Sequence, residues 1–313
     1  MYSVSVIVCT YNQQQTIGRT LDAILSQRSS VPFEVIIGDD ASTDGTLSVC
    51  RAYAEKYPDR VRLLAWPENR GVLDNYYSCV REARGEFIME CGGDDEWCPG
   101  RIELCLAIME QHPEVVQVFT DVFFRSARTG EVQPSGRAIL QPGVTKGAEM
   151  LKILFRQKAS EMTSFAMTRR SAMIEVMDEY PQFFSGRAYP CEDKQLKVLM
   201  ATKGDIFFSP ECTYYYDIDS PSITHTPNQA RKFYYAADMI RLSHDLAAAL
   251  HYPENELRSQ DRHFLRLMFR RAMLAGPSLK LLLEALRWCR RYMFNYRTFL
   301  LRSATQASHR AER

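Results

Sequence analysis

Three short apolar runs punctuate the first half of the chain: Val4–Cys9, Phe33–Ile37 and Glu86–Glu90. Each ends in polar residues, the pattern of a buried strand. Between them the period changes. Ile17, Leu21, Ile24 and Leu25 fall at i, i+4, i+7 and i+8, which predicts a helix. Leu47, Cys50 and Ala54 share one face of a second helix over Thr46–Tyr57. Val61–Leu64 reads as a further short strand and Asn75–Ala83 as a third helix. Strands alternating with helices imply βαβ units: an α/β, Rossmann-like, mostly parallel sheet flanked by helices. Right-handed crossovers then collect the polar strand ends on one edge, where open α/β sheets bind ligands.

From about 120 to 225 the pattern is weaker. Met162–Met167 predicts a strand and Arg169–Val176 the start of a helix. Glu192–Met200 predicts a helix with Leu196, Leu199 and Met200 on one side and Glu192 and Asp193 in its first turn. Past Pro227 helix formers dominate, and three helices are expected near 229–250, 255–275 and 278–302, broken at Pro253 and at Gly276-Pro277. The expected organisation is an α/β domain over 1–225 and a helical, basic C-terminal region over 226–313.

An apolar fraction of 46% and a charged fraction of 25% are ordinary globular values. The net charge of +1 excludes little, but its distribution is uneven. Arg262, Arg266, Arg270, Arg287, Arg290 and Arg291 crowd the tail, interleaved with Leu282, Leu286, Trp288 and Phe294. Two readings stand: helices lying on an anionic membrane surface, or a hairpin packed on the main domain with a solvated basic face. Nucleic acid is not expected, because no recognition motif accompanies the charge. Nine cysteines, an odd number without a CxxC pair, argue against a disulfide framework and fit a reducing cytoplasm. No apolar run approaches the ~18 residues of a membrane span, and Val4–Val8 is too short for a signal peptide.

The chemistry concentrates in Gly92-Gly93-Asp94-Asp95-Glu96-Trp97, three adjacent acids at the end of a strand. Burying them unpaired costs several kcal/mol, so a divalent cation is the first expected partner. The same sheet edge would hold Thr10-Tyr11-Asn12 and Asp39-Asp40. Helix capping explains Ser42, Thr43 and Asp44. It does not explain why two strands each end in a double Asp.

Taken in order, Val6–Asn12, Ile36–Thr46, Glu68–Gly71, Ala83–Ile88, Gly93–Trp97 and Glu192-Asp193 resemble the family 2 glycosyltransferases of GT-A fold. Within that family the chain looks like the bacterial enzymes that build surface polysaccharides such as O-antigen and capsule. The resemblance covers about residues 2–225 and implies an inverting, metal-dependent hexosyl- or N-acetylhexosaminyltransferase. Such an enzyme moves a sugar from a nucleotide-sugar donor, typically a UDP-sugar, to a saccharide or lipid-linked saccharide.

The resemblance also implies roles. Thr10 and Tyr11, with Asn12 beside them, line the nucleotide pocket, and Asp39 bonds the base. Asp95 coordinates Mn2+ or Mg2+ at the diphosphate, Asp94 reaches the ribose or a metal-bound water, and Asp193 is the catalytic base. Glu192 orients the acceptor or serves the helix end electrostatically. Ser164 falls where relatives shape the acceptor pocket. His225 is a candidate for the metal or diphosphate, with a capping histidine as the bland alternative. Many relatives carry a further acid where this chain has Gly92, and Glu90 is the nearest substitute. The expected location is the cytoplasm, with peripheral contact to the inner face of the cell membrane under the first reading of the tail.

Rival classes fare worse. A receiver module would need its acidic pair after the first strand, and a nucleotidyltransferase would need a Gly-rich basic phosphate loop. A catalytically inactive relative acting as a scaffold in polysaccharide assembly remains the alternative; Asp39, Asp94, Asp95 and Asp193 together argue against it.

Overall fold

The computed structural model describes residues 3–126, 128–136, 140–156, 166–186, 189, 193–218, 228–275 and 279–294. The alternation runs β1 (Val4–Thr10), α1 (Ile17–Leu25), β2 (Phe33–Asp39), α2 (Thr46–Lys56), β3 (Val61–Ala65), α3 (Val72–Glu82) and β4 (Phe87–Gly92). It continues through β5 (Glu96–Trp97), α4 (Arg101–Gln111), β6 (Val115–Arg125), β7 (Val132–Pro134), β8 (Gly143–Thr145) and α5 (Gly147–Arg156). Then come β9 (Ala166–Arg169), α6 (Arg170–Glu179), α7 (Asp193–Met200) and β10 (Asp205–Asp217). Helices α8 (Gln229–Ala249), α9 (Arg258–Leu274) and α10 (Leu279–Cys289) follow, α10 running into a π-helical turn over Arg290–Phe294.

Every residue of β2, and all but Cys9 of β1, is buried. Helices cover both faces of such strands, so their side chains need not alternate in polarity. Helix α1 lays Ile17, Leu21 and Ile24 against the core and buries Thr20 with them. The strand order is β3-β2-β1-β4-β9-β6-β10-β5, with β7 on β6 and β8 on β10. From β3 to β4 the sheet is parallel, as expected. Beyond β4 it is mixed, because β9 inserts antiparallel to both β4 and β6. Two reversals restore the direction, so β6 runs with β4, and β10 runs parallel to β6. The carboxyl ends of six strands therefore share one edge: Thr10, Asp39, Ala65, Gly92, Arg125 and Asp217.

The early elements fall where the periodicity put them, except that α3 starts at Val72 rather than Asn75. Gly71, at φ 90°, turns the chain into that helix. The strand expected at 162–167 is described as Ala166–Arg169, and the second C-terminal helix starts at Arg258 after a 3-10 turn over Glu254–Leu257.

By contact the chain divides into two compact units. The first takes Met1–Leu151 and Ser160–Ser220, and the second Lys152–Ala159 and Pro221–Arg313. The second has its own interior: Phe233, Ile240 and Leu246 of α8 and Met268 of α9 are buried, and Asp261 pairs with His244 at 3.1 Å.

Candidate active site

The two aspartates ending β2 have different environments. Asp40 accepts from the amides of Arg70 at 2.7 Å and Gly71 at 3.0 Å, and so anchors the Glu68–Gly71 run. Asp39 is fully buried and accepts from the Ser42 amide at 3.1 Å through Oδ2. Its Oδ1 has no hydrogen-bond partner among the described residues. A buried acceptor left unmade costs about 1–3 kcal/mol, so this atom points to a ligand donor.

Thr10 is buried at the end of β1, and its hydroxyl donates to Gln13 Oε1 at 2.8 Å. Tyr11 is 48% exposed on the edge. Asn12, at φ 54°, stitches two loops: its amide donates to Ser42 Oγ at 3.0 Å, and its Oδ1 accepts from the Thr43 amide at 2.8 Å.

The acidic turn after β4 packs against these loops. A Cβ on Gly93 would lie 2.3 Å from Gln13 Oε1 and 2.8 Å from Thr10 Oγ1, so the approach needs glycine. A Cβ on Gly92 would lie 2.9 Å from Asp95 Oδ2 and 3.0 Å from Asp94 Oδ1. Helix α1 and its N-cap residue, Thr16, hold three successive carbonyls of this turn. Thr16 Oγ1 donates to Gly93 O at 2.9 Å, Arg19 to Asp94 O at 3.0 Å, and Thr20 Oγ1 to Asp95 O at 2.7 Å.

Burial pushes the Asp94 carboxyl up from its ordinary value, and the Asp217 charge adds to this. Burial lifts Asp95 well above the usual carboxylate range, reinforced by the charges of Asp94 and Asp217. Glu90, the nearest substitute for the missing acid, hydrogen-bonds the buried Tyr76 of α3. Trp97 lies in the core beneath the turn, with the Arg101 guanidinium 5.2 Å from its ring and 4.8 Å from that of Tyr214.

A four-residue ion network borders the turn. Arg125 binds Asp217 through two nitrogens, at 2.6 and 3.1 Å, and Glu96 at 2.7 Å. Arg19 meets the same Asp217 at 3.0 Å and Glu96 at 3.4 Å. Burial pushes Asp217 up, but the hydrogen bonds and charges of Arg125 and Arg19 prevail and hold it below the usual range.

Sequence reading picked out Glu96 among the three acids but missed Arg19, Arg125 and Asp217, and with them Thr16 and Thr20. The polar i, i+3, i+4 spacing of Thr16, Arg19 and Thr20 was the available signal. Arg125 and Asp217 had none, since they sit at the ends of strands the pattern did not reveal.

Asp193 opens α7, and its carboxylate pairs with Lys197 at 2.9 Å. Lys197 is buried, its Nζ 5.9 Å from the centre of the Phe119 ring on β6. A turn over 201–204 leads from α7 directly into β10. Ser164, Glu192 and His225 lie outside the described residues.

Ligands bind outside the carboxyl ends of the strands in open α/β sheets, and here that edge carries an orphaned carboxylate and an acidic turn. The chain belongs to glycosyl transferase family 2, which matches residues 5–177, more than half of its length. It is 32% identical over 207 residues to EpsE of Bacillus subtilis (strain 168), covering 62% of this chain and 72% of that protein. It is 29% identical over 134 residues to the minor teichoic acid biosynthesis protein GgaB of the same organism, covering 42% of this chain but 15% of GgaB. In fold it resembles residues 1–349 of S. aureus TarS, with a TM-score of 0.61 at 20% identity over 93% of this chain and 78% of TarS 1–349. The complex of that fragment with UDP-GlcNAc gives a TM-score of 0.57 at 18% identity, over 88% of this chain and 74% of the other.

Proposed function

We propose that this glycosyltransferase takes a sugar from a uridine diphosphate donor and passes it, with inversion, to a saccharide or lipid-linked saccharide. The acceptor belongs to surface polysaccharide synthesis and is met at the cytoplasmic face of the membrane. One observation carries the reading: the orphaned Asp39 Oδ1 and the acidic turn that buries Asp95 lie on one sheet edge. Asp39 suits the imide N–H of a uracil ring, with Thr10 and Tyr11 beside it. The TarS fragment, similar in fold, was crystallised with a uridine donor.

The residues fit a divalent cation in a particular way. Among the described residues no group of three or more His, Cys, Asp or Glu side chains is suited to hold one. Asp95 and Asp94 offer hard oxygens whose charge burial leaves poorly offset. Mg2+ and similar ions take one or two protein carboxylates and complete their shell with water and substrate phosphate. Asp95, with Asp94 beside it, would hold Mn2+ or Mg2+, with His225 a further candidate. Bound there, the ion supplies charge stabilisation to the departing diphosphate.

The chain's own residues do the rest. Helix α1 fixes the turn through its carbonyls, and Asp193, oriented by Lys197, accepts the proton of the attacking hydroxyl. A base opposite the leaving group makes the displacement single and inverting. Glu192 and Ser164 are proposed on the acceptor side.

A thermal-shift panel of nucleotide sugars, each with and without Mn2+, tests the reading, because a ligand bound only by the folded state raises Tm. A metal-dependent shift with one uridine-linked sugar is expected. A shift with guanosine or thymidine donors instead would overturn the role of Asp39. Asp193→Asn is expected to keep donor binding and lose at least about 10²-fold in transfer. Near-normal turnover would move the base elsewhere, and unchanged biological activity without turnover would favour the scaffold.

A further inference from the structure

Helix α10 has two apolar faces. Leu281 and Ala285 are buried on the inner one. Farther along it Trp288 stacks on Tyr292 at 5.3 Å, and Tyr292 lies 4.5 Å from the His244 ring of α8. The helix is therefore committed to that face and cannot rotate to hide the other. On the outer face Leu279, Leu283 and Leu286 are 70%, 46% and 55% exposed. Their i, i+4, i+7 spacing makes one continuous stripe. Met273 and Leu274, at the end of α9, are 66% and 56% exposed.

Cations border this apolar surface. Lys280, Arg287, Arg290 and Arg291 are exposed alongside the leucine stripe. Arg262, Arg266 and Arg270 are exposed at four-residue intervals along α9, which packs against α10. Between residues 258 and 292 there are two acids, Asp261 and Glu284. Asp261 is buried against His244, and Glu284 accepts from the Tyr234 hydroxyl at 3.2 Å. Among the described residues no carboxylate pairs with Arg266, Arg270, Arg287 or Arg290, so the face presents leucines and positive charge together.

We propose that the outer faces of α9 and α10 form a peripheral docking surface for an anionic phospholipid leaflet. The leucines enter the boundary of the acyl region and the guanidinium groups lie among the lipid phosphates. No described helix is long and apolar enough to cross a membrane, so the contact is interfacial. Charge selects this occupant. A second copy docked face to face would set one row of arginines against another, and a nucleic acid would leave the leucines in water. The proposal rests on the reading of a membrane-borne acceptor, but its test does not use the transfer reaction.

The full chain is sedimented with vesicles of phosphatidylglycerol and phosphatidylcholine, and with phosphatidylcholine alone. Binding to the anionic vesicles is expected, with release as salt shortens the screening length. Leu283→Glu with Leu286→Glu is expected to lower the partition coefficient at least about tenfold. Arg266→Glu with Arg270→Glu should lower it too, without touching the apolar stripe. Both variants should keep the wild-type circular dichroism spectrum and the donor-induced thermal shift. Equal binding to neutral vesicles, or partition unchanged by the leucine substitutions, overturns the proposal. So does a wild-type dimer, indifferent to vesicles, that those substitutions turn into monomers. Failure of the transferase reading would appear separately, as a wild-type protein that binds vesicles and no nucleotide sugar.

Discussion

Asp95 is 5% exposed, and burial, with the charges of Asp94 and Asp217, holds its carboxyl well above the usual range. The folded state thus binds that proton more tightly than the unfolded chain does. Its contribution favours the fold at low pH and is lost as pH rises through the raised folded value. Asp217 behaves oppositely: with its value lowered, its contribution is present at neutral pH and lost on acidification. Asp95→Asn removes the cost that the raised folded value imposes above the unfolded pKa, so the ligand-free protein should gain ~1 kcal/mol, a few degrees in Tm, at pH 7. That gain should shrink as pH falls, and the Mn2+-dependent shift with donor should vanish. Calorimetry over a pH series checks this. A variant less stable at pH 7, or still responsive to Mn2+, would contradict it.

At the scale of elements the site depends on how α1 grips the turn after β4. Arg19 is 40% exposed, so its ion pairs contribute little to stability. Its larger effect is positional, because one guanidinium meets Asp94 O, Asp217 and Glu96. Arg19→Ala is expected to leave Tm nearly unchanged and weaken donor binding about tenfold, raising KM more than it lowers kcat. Arg19→Lys should recover part of the loss. Steady-state kinetics decides, and an unaltered KM would make the network structural only.

For the whole molecule, two compact units divide the labour proposed here. Nucleotide sugar should slow amide exchange after β1, β2 and β4 and in the first turns of α1, and leave α8–α10 unchanged. Hydrogen–deuterium exchange with and without donor measures this. Comparable protection across α9 and α10 would show that the donor acts on the second unit as well.

The first half of the fold was legible because parallel strands buried on both faces read as apolar runs, and amphipathic helices separate them with a different period. The double aspartates were legible because their burial contradicts their chemistry. β6 was not: its run continues through Thr120 and Asp121, both buried, and looks interrupted. β10 was hidden by Ser209-Pro210-Glu211, which reads as a turn but lies in an irregular stretch of pairing between Ser209 and Cys212. Local pattern thus determined where the chain alternates and which acids reach the edge. Which of two adjacent aspartates keeps an unpartnered oxygen, and which side chains brace the acidic turn, depended on contacts between residues far apart in the chain. Arg19 and Asp217 are 198 positions apart, and only folding brings them within hydrogen-bonding distance.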